Sequence, residues 1–140
     1  MPFPIGRAAG KSGCTAPTIR YYESIGLLAA PIRAASGRRS YGADDVARLT
    51  FIRRARDFGL GIPEVRELLA AADAPANRCL SARPVVEAQL QTIRAKRAEL
   101  KALETALCAI LSRCDTLCQD GAAGPCAIFD TFTLPAGPPR

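Results

Sequence analysis

The chain contains no histidine and no tryptophan, one methionine, three tyrosines and five phenylalanines. Each shortage excludes something. A catalytic zinc centre keeps an open coordination position beside a general base. With no His and no HExxH-type pattern, the sequence offers no such centre. Hydrophobic residues make up 49% of the chain, but alanine inflates the figure, and large core side chains are few. A 140-residue chain of this kind buries a modest core and often completes it by dimerising. No apolar run approaches the ~18 residues a membrane span needs. The opening Met1-Pro2-Phe3-Pro4 lacks the basic-then-apolar pattern of a signal peptide. The expected location is therefore the cytosol, with no membrane partner. In that reducing compartment the six cysteines are expected as metal ligands, reactive thiols or core fillers rather than disulfides.

Charge is present in excess of one sign and is uneven. Residues 1–72 carry 11 Lys/Arg against 6 Asp/Glu, a net of +5, whereas residues 73–140 carry 8 against 7, a net of +1. Positive charge concentrated in the first half suits a polyanion, DNA being the commonest, although an ordinary basic surface has the same composition.

Punctuation along the chain predicts mostly helices. An apolar-small pattern from residue 4 stops at Gly10. Thr15 is a candidate N-cap with Pro17 in the following turn, and that second helix ends before Gly26. Two short helices joined by Lys11-Ser12-Gly13-Cys14 form a helix-turn-helix candidate. Residues 27–42, broken by Pro31, Gly37 and Gly42, read as a hairpin with basic residues at its tip. Asp44 or Asp45 caps a helix through Arg56, and Pro63 opens another to Ala72. Residues 73–82 read as a linker. A helix over 83–113 then places Val86, Leu90, Ile93, Leu100, Leu103, Leu107 and Ile110 on one narrow seam. A lone helix with such a seam needs a partner, most simply its own copy. Residues 114–131 read as a cysteine-bearing loop with one short helix, Ala127 to Thr131, and residues 132–140 as a disordered tail.

The basic residues fall where a winged helix would use them. Thr18, Arg20, Tyr21 and Tyr22 lie on the second helix, the one placed to enter a major groove. Arg33, Arg38, Arg39 and Tyr41 lie on the hairpin, where guanidinium groups can grip phosphate with paired hydrogen bonds. Adjacent helical residues point about 100° apart, so one of Tyr21 and Tyr22 is expected in the core.

These segments resemble the MerR family of bacterial transcription regulators. The resemblance rests on Ile19-Arg20-Tyr21-Tyr22-Glu23, Gly26-Leu27-Leu28, and Arg33-x3-Gly37-x-Arg39-x-Tyr41. It continues through Arg48-Leu-x-Phe-Ile-Arg53 and Glu64-Val-Arg-x-Leu-Leu69. Five motifs in order make it specific, and it runs from residue 4 to about residue 118. The implied fold is mainly α: a winged helix-turn-helix domain, a long dimerisation helix pairing antiparallel as a coiled coil, and a C-terminal metal-binding loop. The implied partners are double-stranded promoter DNA, a second copy of the chain and RNA polymerase at the promoter. The implied mechanism is deformation of an over-long promoter spacer, biased by an effector that prefers one of two dimer states.

Cysteine is the only abundant soft ligand. Cys79 precedes the long helix, and Cys114, Cys118 and Cys126 follow it. Cys79 and Cys114 stand 35 positions apart, close to the helix length, so antiparallel pairing would bring Cys79 of one chain toward the 114–126 loop of the other. Metal-responsive members of the family resemble this pattern, with one Cys ahead of the helix and two in the loop. Here eleven residues separate Cys114 from Cys126, while seven separate Cys118 from Cys126, as in copper-sensing members, so the choice between Cys114 and Cys118 stays open. Family members that sense monovalent copper carry Ser where Cys79 stands. Zn, Cd, Pb and Hg ions favour three or four donors where Cu(I) accepts two. The expected effector is therefore a soft divalent ion, with Cu(I) on Cys118 and Cys126 as the alternative. Cys14 and Cys108 are expected as small core residues. A thiol-based oxidant sensor is a further alternative, but Cys114-x3-Cys118-x7-Cys126 is looser than an iron–sulfur cluster spacing. A purely architectural DNA binder leaves the cysteine loop without a role.

Overall fold

The computed structural model describes residues 2–117 and 126–132, and the chain divides into two compact units, Met1–Gln89 and Leu90–Arg140. The expected disordered tail lies outside the described residues except for Phe132. So does the loop, apart from residues 114–117 and Cys126. Among the described residues no helix is long and apolar enough to cross a membrane.

In the first unit, strand β1 (Phe3–Pro4) leads into helix α1 (Ile5–Ser12), and helix α2 (Ala16–Ser24) follows. Ala8 and Ser12, one turn apart, are buried on α1, and Gly13 ends it in the left-handed conformation, φ +75°, its N–H donating to Ala9 O. Thr15 caps α2 as expected, its Oγ1 accepting from the Thr18 N–H at 3.3 Å. Strands β2 (Ile32–Arg33) and β3 (Arg39–Tyr41) form the hairpin, and β1 adds to its other side in the order β1-β3-β2, all antiparallel. The strand at the N-terminus was not expected. It is two residues long and pairs Phe3 with Tyr41, a contact no local pattern encodes.

Helix α3 (Ala43–Asp57) starts on Gly42 rather than on Asp44 or Asp45. Asp45 reaches back instead, its Oδ2 accepting from the Gly42 N–H at 2.8 Å. Helix α4 (Ile62–Ala72) has Pro63 in its first turn. The core joins Ile19 and Tyr22 of α2, Leu27, Leu28, Tyr41, Leu49 and Ile52 of α3, Leu60, and Val65, Leu68 and Leu69 of α4. Arginine side chains close the connections between these elements. Arg48 donates to Leu27 O, Arg53 to Ser12 O, Arg56 to Leu60 O and Arg66 to Ile25 O, each within 2.7–2.9 Å.

The segment expected as a linker is mostly structured. A 3-10 turn (Pro75–Asn77) runs into helix α5 (Arg78–Leu117), which begins earlier and ends later than expected and carries Pro84 about two turns in. Proline removes one backbone hydrogen bond and need not end a helix whose neighbours are packed. Here Val85 is buried in the core, and Gln89 Nε2 donates to Phe58 O at 2.8 Å.

The second unit contains α5 from Leu90 onward and helix α6 (Ala127–Phe132). Ala127 is fully buried, and the Thr131 hydroxyl donates to Ala127 O at 2.7 Å. Along α5, Leu90, Ile93, Leu100, Leu103 and Leu107 remain between 43% and 63% exposed.

Gly59 occupies φ +82°, and a Cβ there would lie 2.9 Å from Gln89 Nε2, an atom already committed to Phe58 O. Gly59→Ala is expected to destabilise the protein by about 1–2 kcal/mol through left-handed strain and this contact. Denaturant unfolding with an unchanged slope checks it, and an unaffected midpoint contradicts it.

Candidate nucleic-acid interface and metal-ligating cysteines

Register builds the basic surface. Arg33 pairs directly across from Arg39, and Gly37 turns the chain between them at φ +79°, its N–H donating to Ala34 O at 2.8 Å. This places Arg33, Arg38 and Arg39 beside Arg20 of α2, and the four line one open cleft of about 380 Å³ with Pro4, Ile5 and Gly37. Arg20, Arg33 and Arg38 are exposed. Arg33 Nη1 donates to Gly37 O at 3.2 Å, stiffening the hairpin tip. Thr18 is half-buried, its Oγ1 2.8 Å from that of Thr15, so it serves the cap of α2.

The two adjacent tyrosines separate as helix geometry requires. Tyr21 is 52% exposed, and Tyr22 is buried with its ring 5.9 Å from that of Tyr21. The expectation that Tyr22 and Tyr41 face DNA is corrected, since both are core side chains. Burial raises the Tyr22 pKa above the ordinary tyrosine value, the nearby Cys14 adding to the effect. Burial likewise pushes the Tyr41 hydroxyl far up, reinforced by its hydrogen bond to the Glu23 carboxylate. Tyr41 therefore fixes β3 to the core while the arginines around it project outward.

Glu23 has a role that no local sequence signal gives. Its carboxylate accepts from the Tyr41 hydroxyl and pairs with Arg39 Nε at 3.1 Å. A second missed feature is on α1, where Arg7 and Lys11 lie 5.3 and 5.1 Å from the centre of the Phe3 ring.

The cysteines distribute differently from one another. Cys79, in the first turn of α5, is an exposed thiol, and Cys114 and Cys126 are half-buried. Cys118 lies outside the described residues. Among the described residues of one chain, no three His, Cys, Asp or Glu side chains gather as a metal site. Cys14 packs against the core as expected, its Sγ 3.7 Å from Leu49 O. Cys108, expected as a core residue, is exposed on α5, where the single chain provides little cover.

Residues 3–72 match the family model described as MerR HTH family regulatory protein, and residues 46–110 match the one described as MerR, DNA binding. The mercuric resistance operon regulatory protein of Bacillus cereus is 35% identical over 114 residues, covering 81% of this chain and 86% of that protein. The chain belongs to the MerR family. It is accordingly a DNA-binding transcription regulator and not an enzyme. HmrR of Sinorhizobium medicae is 52% identical over 66 residues, and that match spans only 45% of its length. Among solved structures, the regulator PbrR691 of Ralstonia metallidurans in complex with lead(II) is similar, with a TM-score of 0.77 and 33% identity over 94% of this chain and 99% of that one. The winged helix-turn-helix unit followed by a long helix is thus the fold of this MerR-family chain.

Arg38, like Arg33 and Arg39, is an exposed hairpin arginine on the cleft. Arg38→Ala is expected to weaken binding to promoter and random DNA alike, lowering the slope of log K against log salt by about one. Titrations over a salt series check this, and an unchanged slope removes Arg38 from the phosphate contacts.

Proposed function

We propose that this MerR-family chain is a metal-responsive activator. It binds promoter DNA as a homodimer and deforms the promoter when a soft divalent ion joins the two subunits through cysteine thiolates. The observation that carries the reading is the placement of thiols at both ends of one helix. Cys79 stands in the first turn of α5, and Cys114 near its end, with Cys126 just ahead of α6. Thirty-five positions of one helix separate Cys79 from Cys114, and the proposed dimer joins Cys79 of one chain to the loop cysteines of the other.

The donor set fits a soft cation in kind. The sulfurs come without a competing imidazole, and Zn, Cd, Pb and Hg ions favour three or more such donors. Cys79 would hold the ion from one subunit, and Cys126 with Cys114 or Cys118 from the other. A bound ion would supply a cross-link between subunits. The remaining work falls to the protein: α5 to pair, α2 and the hairpin to grip DNA. The names of similar proteins point the same way, since one governs mercuric resistance and another was solved with lead(II). A two-thiolate Cu(I) site on Cys118 and Cys126 is the alternative. Competition of Cu(I), Zn, Cd, Pb and Hg ions for the purified reduced protein distinguishes the two.

Cys79 is exposed and distant in sequence from the DNA-gripping residues. Cys79→Ser is expected to preserve promoter affinity and abolish induction by divalent ions, because two thiolates hold such ions far more weakly than three and no longer couple the subunits. Promoter binding and metal-dependent transcription, assayed side by side, decide it. Retained divalent induction removes Cys79 from the site, whereas a gained response to Cu(I) supports its sorting role.

Dimerisation through α5 rests on the exposed seam. Leu100 follows Ile93 by one heptad and is 63% exposed in the single chain. Leu100→Lys would bury an unpaired ammonium at the interface and is expected to yield monomers in sedimentation. A variant that stays fully dimeric sinks the proposed interface.

A further inference from the structure

Beneath the arginine cleft sits a carboxylate that the established features of the chain do not require. Glu23 lies on α2, and its side chain is only 9% exposed. Both oxygens are engaged by β3: Oε1 accepts from the Tyr41 hydroxyl, and Oε2 lies 3.1 Å from Arg39 Nε. A nearly buried negative charge under a surface that meets polyanionic DNA is unfavourable for binding by Coulomb's law alone. Its retention therefore calls for a compensating role.

The atoms involved suggest one. A guanidinium carries five N–H donors in a fixed planar fork. The contact to Glu23 uses the Nε edge of Arg39. The Arg39 side chain is 41% exposed on the wall shared with Arg20, Arg33 and Arg38, which leaves its guanidinium open to solvent. We propose that Glu23 is a positioning residue for DNA binding: it grips Arg39 through Nε, presents the Nη edge to a backbone phosphate, and ties the hairpin to α2. The inference rests on reading the cleft as the DNA interface and deepens it. Arg39 is then held by one anion for another, and binding meets a side chain whose rotamer freedom has already been lost in folding. Tyr41 supports the arrangement from below, since its buried hydroxyl keeps one carboxylate oxygen directed at β3.

The sign of one substitution separates this role from plain electrostatics. Glu23→Gln removes a negative charge near DNA while keeping size and one hydrogen-bond acceptor. If Glu23 acts only as a charge, the variant binds DNA more tightly. If it positions Arg39, the variant binds more weakly, by roughly fivefold or more for one charge-assisted contact, and the salt slope falls by about one. A random-sequence duplex is the probe, since phosphate contacts are independent of sequence. Arg39→Ala added to Glu23→Gln is expected to cost little more than either alone, because both remove the same contact. Arg39→Lys guards against a misfolded Glu23 variant. It keeps the charge, but one ammonium cannot span carboxylate and phosphate as a fork does, so the same loss is expected. A folded Glu23→Gln protein that binds as tightly as the wild type or tighter overturns the proposal. Arg39→Lys binding like the wild type does so too. Failure of the wild-type dimer to bind the duplex at all would overturn the reading of the cleft as well.

Discussion

The constraint on which the rest depends is that α5 carries an apolar line that the described residues leave exposed. Val86, Leu90, Ile93, Leu100, Leu103 and Leu107 all remain more than two-fifths exposed. Burying such side chains contributes roughly 1.5–3 kcal/mol each, so leaving a row of them in water is a standing driving force for association. A long helix is also a poor independent fold, since most helical stability in proteins comes from packing one face. The thiols at its two ends gain significance from the same constraint. In the proposed dimer, a second chain covering the seam would decide which cysteines can meet, and a metal bound there would report on the pairing.

Charge acts in two ways in the first unit, and composition alone does not separate them. Four arginines of α3 and α4 donate to carbonyl oxygens at the connections, replacing partners that helix ends and turns would otherwise lack. Those groups hold the fold. A second set of four, Arg20, Arg33, Arg38 and Arg39, lines the cleft. The net of +5 over residues 1–72 therefore does not reveal how much guanidinium chemistry is structural.

Much of this was legible in the sequence where the determinant is local. Thr15 with Pro17 fixes the start of α2, and Gly13, Gly26 and Gly37 mark the backbone reversals, each with positive φ. The narrow seam of α5 follows from spacing alone. What failed to show was non-local. β1 is two residues long and is defined by a partner 38 positions away, Tyr41 for Phe3. Spacing says that one of Tyr21 and Tyr22 enters the core, but that it is Tyr22, and that Tyr41 joins it, depends on the elements that enclose them. Glu23 stands in a recognisable motif, but its role depends on two residues of a strand that folds beneath it. Cys108 sits beside Leu107 and reads as a packed residue, yet both are exposed among the described residues. Residues 133–140 and Cys118 lie outside the described residues, so the expectations for them gain no structural counterpart.

Any effector acting at Cys79 acts on the start of α5, and that segment is not an independent rod. Four contacts or packing positions in the same unit connect it to the DNA-gripping part. Ala82 and Val85 pack with the core, Gln89 donates to Phe58 O, and Arg78 donates to Ala72 O at the end of α4. Phe58 in turn follows the last residue of α3, and α3 carries Arg53, whose guanidinium closes the helix-turn-helix at Ser12 O. Close-packed interiors deform poorly, so a change in the direction of the first turns of α5 is more readily accommodated by moving the attached helices than by compressing them. In the proposed mechanism the ion need not touch the DNA domain. It need only favour one relation of α5 to its partner. The contacts at Val85 and Gln89 then make α3 and the helix-turn-helix follow, provided the differential affinity for the two states exceeds the energy needed to bend the promoter.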